Sequence, residues 1–446
     1  MTLEELMIAI GIFIGLSVVG VVGFIRDSKQ KKIGRRESSI VWIVIYAVFL
    51  ALTFTGIIDW GFQWYGLGIL FAVKALLGVV FLLRHKAPAE FRKGKAIPRL
   101  IGSILLFGFV SIPLLVFPQY KPLEPTGTFA VGTTVFTWTD TTRDDGFTPE
   151  ADHRKVSVQI WYPASQAGED APVLEGSFPL AVFSHGAFGY RMSNHSTFME
   201  LASNGYIVAS IDHTHQAFMT KQADGTMVLG DMGFINTAMQ VENGEIAGED
   251  LYRLQEEWMA LRTADMAFVL DQIRRQAGSA TSDAVFRQLD IERIGVLGHS
   301  MGGATAAWLG REDAAVDAVI VLDGTMMGEI VGFENGREVL STTPYPKPIL
   351  NLYNEAHYRE GVELGTEYAN MRMHANASQS FQLVVEGSGH LNFTDLPIVS
   401  PFLAGMLGVG PVDARYGMTT TNSAVLEFLD YYVKGTGSAI PEFRSL

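Results

Sequence analysis

Four apolar runs in the first 117 residues limit what this chain can become: Met7–Ile25, Ile40–Ile58, Phe62–Leu83 and Leu100–Phe117. Each has 18–22 residues, and only the third carries a charge, Lys74. About 20 helical residues cross the ~30 Å hydrocarbon layer of a bilayer. A helix also closes its own backbone hydrogen bonds, which lipid cannot do for it. An all-α region of four transmembrane helices is therefore expected over residues 1–117. The first run does not read as a cleaved signal peptide. Glu4 and Glu5 stand where such a peptide is positive, and no small-residue cleavage pattern follows. Lys74 is expected to pair inside the bundle, with Asp59 or a backbone carbonyl, rather than to act as a functional intramembrane charge.

Charge divides the chain at the same place. Residues 1–126 carry 14 Lys/Arg against 7 Asp/Glu, whereas the remaining 320 residues carry 19 against 40. The bases cluster in two loops. One holds Arg26, Lys29, Lys31, Lys32, Arg35 and Arg36, and the other Arg84, Lys86, Arg92, Lys93, Lys95 and Arg99. Positive loops stay cytoplasmic, so both termini and everything after Phe117 are expected on the outer side of a cell membrane. Trp60, Trp64 and Tyr65 fall where an outer aromatic belt would lie.

Pro118, Pro122 and Pro125 mark residues 118–126 as a linker, and residues 127–446 have the composition of a globular domain. Its acidity argues against nucleic acid as a partner. The chain has no cysteine, which excludes thiol nucleophiles, disulfides and cysteine-ligated metals. Short apolar strands are expected at Val156–Tyr162, Pro179–Ser184, Tyr206–Ile211, Arg293–Gly298, Ala318–Leu322, Pro348–Tyr353 and Phe381–Val385. Helices are expected at Asp250–Gln276, with Leu251, Leu254, Trp258, Leu261, Ala264 and Phe268 on one face, and at Gly302–Leu309 and Asn422–Val433. Such alternation indicates a mostly parallel sheet covered on both faces.

The sharpest chemical signal lies on that pattern. Gly298-His299-Ser300-Met301-Gly302 follows a strand and opens a helix. This is the G-x-S-x-G context in which a tight strand-to-helix turn projects a serine hydroxyl as nucleophile. The hydroxyl needs a base, and the base an orienting acid, in the chain order Ser, Asp or Glu, His. Of the three downstream histidines, His390 follows the last apolar strand in Gly387-Ser388-Gly389-His390. His357 and His374 lie in polar sequence with no apparent strand end beside them. Asp323 ends the strand Ala318–Leu322 and is the favoured acid, with Glu355 one strand later as the alternative. Asp395 is too close to His390 in sequence to orient it. Oxyanion donors are expected from the Met301 N–H and, after the strand ending Ser184-His185-Gly186, from the Ala187 N–H.

These segments resemble the plasma and type II branch of the platelet-activating factor acetylhydrolase family of α/β-hydrolases. The resemblance covers roughly residues 127–435. It is carried by VSVQIWYPA at Val156–Ala164, PLAVFSHG at Pro179–Gly186, LASNGYIVASID at Leu201–Asp212, GHSMGG at Gly298–Gly303, VLDG at Val321–Gly324 and HLNFTD at His390–Asp395. It implies an α/β-hydrolase fold with Ser300 as nucleophile, Asp323 as acid, His390 as base, and Ala187 and Met301 as oxyanion donors. It also implies hydrolysis of short or oxidised acyl chains on phospholipids, with no cofactor and no metal. The membrane region departs from the family's type enzymes, and Ala187 stands where they carry a larger apolar residue.

The segment 213–250 aligns with nothing familiar. Its Met219, Met227, Met232, Phe234 and Met239 suggest a lid or acyl-binding flap, the alternative being a surface insertion. His213 and His215 have a spacing that a strand would turn to one face, yet no third ligand for a metal is evident. Two other functions are open: a general carboxylesterase or polyester hydrolase, which would share every catalytic residue and differ only in the pocket, and a non-catalytic membrane-bound binding module, which the complete triad argues against.

Overall fold

A computed structural model of the protein describes residues 3–84, 89–149 and 151–446, with side chains from Ile10 onward. Lys86 and the side chains of Glu4 and Glu5 lie outside the described residues. The chain forms two compact units, Met1–Pro122 with Leu396–Leu407, and Leu123–Asp395 with Gly408–Leu446.

The first unit is built on four helices, α1 (Leu3–Gln30), α2 (Arg35–Phe54), α3 (Phe62–Leu83) and α4 (Lys93–Val116). All four are long and apolar enough to cross a membrane. α1 and α4 begin in the polar flank before their apolar runs and α3 coincides with its run, whereas α2 starts at Arg35 and stops four residues short of Ile58. There Gly56 turns to φ +72, and the Ile57 and Ile58 N–H groups both close onto the Leu52 carbonyl. The interior is aromatic: Trp42, Phe49, Trp64, Phe71 and Phe107 are buried, with ring centroids 5.4–6.3 Å apart. Val48, Leu76, Leu105 and Phe109 face outward. Two expectations change here. Trp64 belongs to this interior rather than to an interfacial belt, while Trp60 and Tyr65 stay exposed. The Lys74 ammonium lies 5.4 Å from the Trp42 ring centroid, a cation–π contact in place of a carboxylate partner. Leu396–Val399 and Pro401–Met406 form short helices of this unit, where Ser400 Oγ donates to the Val116 carbonyl at 2.5 Å.

The second unit is a ten-stranded sheet with helices on both faces. In chain order its elements begin with strands β1 (Ala130–Asp144), β2 (His153–Ala164), β3 (Gly168–Glu169) and β4 (Phe178–Ser184), helix α5 (His195–Ser203) and strand β5 (Ile207–Asp212). A small hairpin, β6 (Met219–Lys221) and β7 (Met227–Leu229), leads to helices α6 (Met232–Glu242) and α7 (Gly248–Ala277). Strand β8 (Leu289–His299), helix α8 (Met301–Glu312) and strand β9 (Ala318–Leu322) follow, then a second hairpin, β10 (Ile330–Glu334) and β11 (Arg337–Leu340). Strand β12 (Ile349–Asn354), helices α9 (Glu355–Leu364) and α10 (Ala369–Asn376), strand β13 (Ser380–Val385), the helix Ala414–Leu429 and strand β14 (Phe443–Ser445) complete it.

The sheet order is β14-β13-β12-β9-β8-β4-β5-β2-β1-β3. β14 through β5 run parallel, and β2 turns antiparallel against β5. The central strands alternate between two cores, as a period of two requires. Leu180 and Val182 pack with α7 and α8, whereas Ala181 and Phe183 pack with α5 and the helix Ala414–Leu429. On α7 the buried face is rotated from the expected one. It carries Trp258, Met259, Met266, Val269, Leu270 and Ile273, together with the charged Arg262 and Asp265. The carboxyl ends of β4, β8 and β9 finish level with one another, Ser184 pairing with Gly298 and Gly298 with Val321. Active sites of parallel α/β sheets form beyond such ends.

Candidate active site

Ser300 occupies the single residue between β8 and α8. Its φ of 56° and ψ of −127° bend the chain sharply, and its N–H is held by the Leu322 carbonyl at 2.8 Å. A non-glycine residue on the positive side of φ stores strain that surrounding structure must hold. The turn is so tight that a Cβ at Gly302 would strike the carbonyls of Ser184 and His185. Only glycine admits the end of β4 this close to the start of α8, which explains the second glycine of the motif. An added Cβ at Gly186 would lie 3.1 Å from Ser300 Cβ, so the loop after β4 borders the serine directly.

Asp323 leaves β9 at φ +51, with its side chain fully buried. Its Oδ2 lies 2.7 Å from His390 Nδ1. Burial alone would raise this carboxyl, but hydrogen bonds from His357 and His390, then their charges, hold it well below the usual carboxylate range. Being ionised, Asp323 accepts, so His390 Nδ1 carries a hydrogen. The His390 side chain is 45% exposed. Ser300 Oγ makes no hydrogen bond among the described residues. Such contacts often close only around substrate.

Ala187, expected with Met301 to supply oxyanion donors, follows β4, and Met301 opens α8. Among the described residues neither the Ala187 nor the Met301 N–H has an acceptor. Met301 begins α8, so the positive end of that helix adds to its N–H. Ala187 is aimed by what holds the preceding carbonyl, because the Gly186 C=O and Ala187 N–H share one peptide plane and point oppositely. His185 Nδ1 donates to that carbonyl at 2.7 Å, and Arg262 Nη1 grips the neighbouring His185 carbonyl at 2.5 Å. Burial, then the Arg262 charge, pushes His185 far below its ordinary range, so it stays neutral. Beneath the loop, Ser184 Oγ meets His213 Nε2 at 2.8 Å, His213 Nδ1 meets Asp265 Oδ2 at 3.1 Å, and Arg154 forks onto Asp265 at 2.7 and 3.1 Å. This Ser184–His213–Asp265 relay repeats the order of a catalytic triad, but all three side chains are fully buried. It fixes the loop and is closed to substrate.

The H-x-H pair divides. His213 joins that relay, while His215 stacks on Phe147 and lies 3.7 Å from Asp145. Among the described residues no group of three His, Asp or Glu side chains is placed to hold a metal. Glu355, the alternative acid, is turned to Arg359 at 2.6 Å and the Gly387 N–H at 3.2 Å. Asp395 caps the Ser196 N–H and hydroxyl, and burial pushes it up to about 6.

Three residues that the sequence did not single out complete the setting. His299 Nε2 donates to the His390 carbonyl at 3.0 Å, and burial pushes it down to about 3, so it is a neutral prop for the loop. Asn354 gives its N–H and Nδ2 to the two oxygens of Asp323 at 2.8 and 2.6 Å. His357, set aside as remote from any strand end, sits three residues past β12, with Nδ1 2.9 Å from Asp323 Oδ1. The first turn of α9 brings it there, and its neighbours in sequence are too polar to reveal β12 as its platform.

Segment 213–250 contains the β6–β7 hairpin and α6. Phe234 and Ala238 of α6 pack with Trp258 of α7 and with Met301, and Ala187 adjoins the same cluster. An apolar roof thus borders Ala187 and Met301. Met232, Met239 and Leu229 stay exposed on it.

Comparison with known proteins follows this geometry. The family described as platelet-activating factor acetylhydrolase, isoform II, matches residues 155–436. A platelet-activating factor acetylhydrolase of Cavia porcellus is 26% identical over 299 residues, 62% of each chain. A probable 1-alkyl-2-acetylglycerophosphocholine esterase of Arthroderma benhamiae is 26% identical over 259 residues, 57% of this chain and 58% of its own. The alignment therefore spans less than two thirds of these relatives. A ferulic acid esterase from Streptomyces cinnamoneus shares the fold, with a TM-score of 0.53 and 24% identity over 71% of this chain and 93% of that one. The match over residues 155–436 takes in more than half of the chain, including Ala187, Ser300, Asp323 and His390, and on that ground the protein belongs to the platelet-activating factor acetylhydrolase, isoform II, family.

Proposed function

We propose that this protein is a membrane-anchored serine ester hydrolase acting on short-acyl or oxidised phospholipid esters. The observation that carries the reading is the 2.7 Å contact between the Asp323 carboxylate and His390 Nδ1 beside the strained Ser300 turn. In the reaction His390 Nε2 takes the Ser300 proton as Oγ attacks the ester carbonyl. The oxyanion of the tetrahedral intermediate is received by the Ala187 and Met301 N–H groups. Asp323 holds His390 in the tautomer with hydrogen on Nδ1 and stabilises the imidazolium. Collapse expels the alcohol with the proton from His390, and water then releases the acid from the acyl-serine by the same steps. The roof formed by α6 is read as the acyl-binding flap, because its Phe234 and the Trp258 beneath it line the donor side.

The length and composition of the four apolar helices support an anchor, and the positive-inside rule applied to the two basic loops favours residues 118–446 outside the cell. Anchoring raises the domain's effective concentration toward lipid substrates. A fluorophosphonate probe on the full chain in detergent should label it, and the label should be lost in Ser300→Ala. Against a panel of short-acyl phosphatidylcholines and nitrophenyl esters, the phospholipids should be preferred. Preference for the nitrophenyl esters would mark a general carboxylesterase instead. Protease added to intact cells should remove a C-terminal tag, and protection of the tag until permeabilisation would put the domain in the cytoplasm.

A further inference from the structure

Asp323 serves two imidazoles. His390 Nδ1 faces its Oδ2 at 2.7 Å and His357 Nδ1 faces its Oδ1 at 2.9 Å. An ionised carboxylate only accepts, so both ring atoms carry hydrogen. On the far side of His357, Nε2 lies 2.5 Å from the Tyr368 hydroxyl, which in turn lies 3.0 Å from Thr325 Oγ1. Burial pushes Tyr368 up, so its hydroxyl keeps its proton. A neutral imidazole with hydrogen on Nδ1 accepts at Nε2, and in that form the bonds run from Tyr368 to His357 and from His357 to Asp323. The relay approaches the carboxylate from the side opposite His390.

We propose that His357 is a positioning residue for the hydrolytic reaction, sharing the Asp323 charge with His390 and fixing the rotation of the carboxylate that serves it. The proposal rests on the reading of Ser300, His390 and Asp323 as the triad. Its reason is geometric. Asn354 holds each carboxylate oxygen from one direction, and His357 supplies a further donor to Oδ1, leaving Oδ2 to face His390. A hydrogen bond to an anion drains charge from its other partner. Without His357, the charge on Asp323 bears more fully on the His390 imidazolium, while the carboxylate is less firmly aimed. The ring is closely enclosed. Tyr353 of β12 meets it edge-on at 5.1 Å and Tyr368 at 5.7 Å between centroids. The ionisable groups on the packed elements are Tyr353 of β12, Asp323 after β9, His390 across the carboxylate, Glu355, Tyr358, Arg359, Glu360 and Glu363 on its own helix, Glu367 and Tyr368 in the following turn, and Arg372 and His374 of α10. Of these, Glu355 and Arg359 pair together, Arg372 donates to the Thr366 carbonyl, and His374 bonds Ser380. Asp323 is the carboxylate that His357 touches.

The test is the pH profile of kcat/KM for a short-chain nitrophenyl ester, on the full chain in detergent. His357→Phe should lower the plateau about threefold to tenfold, with KM little changed. It should also move the acid limb upward by about half a pH unit, because the imidazolium is favoured when Asp323 serves it alone. His357→Asn places an amide N–H near the position of Nδ1 and should restore both. Tyr368→Phe removes the donor behind the ring and should move the limb the same way by less; it also keeps the question decidable if His357→Phe does not fold. An acid limb unmoved in the folded variants, or a loss that His357→Asn does not rescue, overturns the proposal. Retained activity in Ser300→Ala run alongside would instead overturn the reading of the triad on which it rests.

Discussion

The helical unit turns Val48, Leu76, Leu105 and Phe109 outward and keeps Trp42, Phe49 and Phe71 within, whereas the hydrolase unit buries its aliphatic strands and also buries charge. In the first, the Lys74 ammonium rests on an indole face. In the second, Arg154, Arg262, Asp265 and His213 are fully buried, each with hydrogen-bond partners in a closed network. A buried charge survives only when paired. The contrast teaches where chemistry can be built: the helical unit is made by composition, and the catalytic unit by placement of individual polar atoms.

Four substitutions or conditions press on that contrast, in falling order of effect. Ser300→Ala changes one oxygen at an unchanged fold and should cost on the order of 10⁴–10⁶ in turnover, read by single-substrate kinetics beside a circular dichroism spectrum. If more than about a tenth of the rate remains, Ser300 is not the nucleophile. Asp323→Asn should cost about 10⁴ by removing the acceptor that holds the His390 tautomer. Glu355→Gln, already turned to Arg359, should fall within about twofold, and the reverse ranking would move the acid one strand along.

The third compares the two surfaces directly. Leu105 is 68% exposed in the helical unit and Val331 58% exposed in the hydrolase unit. Leu105→Arg should oppose membrane insertion by about 3 kcal/mol, seen as loss of protein from the membrane fraction. Val331→Arg should change stability by less than about 0.5 kcal/mol. Equal tolerance at both sites would mean that the helices do not face lipid.

The smallest effect is acid sensitivity of the hydrolase unit. Burial pushes His213 down to about 4 and His299 to about 3, with His185 also lowered. Below 6.5 the unfolded chain binds those three protons and the folded one does not, so stability falls as pH drops from about 6.5 toward 4. Asp212 and Asp395, both pushed up to about 6, oppose this by taking protons in the folded state that the unfolded chain binds only near 3.8. His195, His215 and His374 are lowered too and Glu329 and Glu338 raised, so the lowered imidazoles outnumber the raised carboxyls, and each net proton is worth about 1.4 kcal/mol per pH unit. Urea unfolding of the detergent-solubilised chain at pH 5.5 and 4.5 measures it. A stability that rises between those values would assign the buried imidazoles a different protonation.

Much of this was legible because the signals are periodic. β9 runs over Ala318–Leu322 as its apolar run predicts, and Ser300, at the end of the β8 run, falls on the expected turn. What escaped is long-range or polar. The 15-residue strand β1 is rich in threonine and half-buried, so no apolar run announces it. Arg262 and Asp265 break the hydrophobic face of α7, and their use appears only when Arg154 and the His185 carbonyl arrive from other elements. His357 is read from sequence as loop polarity, since its partners Asp323 and Tyr368 are brought to it by folding.

The place of Leu396–Leu407 has a consequence for how the chain is made. A ribosome delivers α1 through α4 first, yet the unit they found is finished by residues that emerge after the His390 loop. The Val116 carbonyl that receives Ser400 must therefore wait through synthesis of most of the catalytic domain. Completion of the helical unit in this way waits on translation past residue 407. A ribosome that stops between α4 and residue 396 leaves behind helices that can enter a membrane but not their last packing partner, a difference that membrane quality control could read.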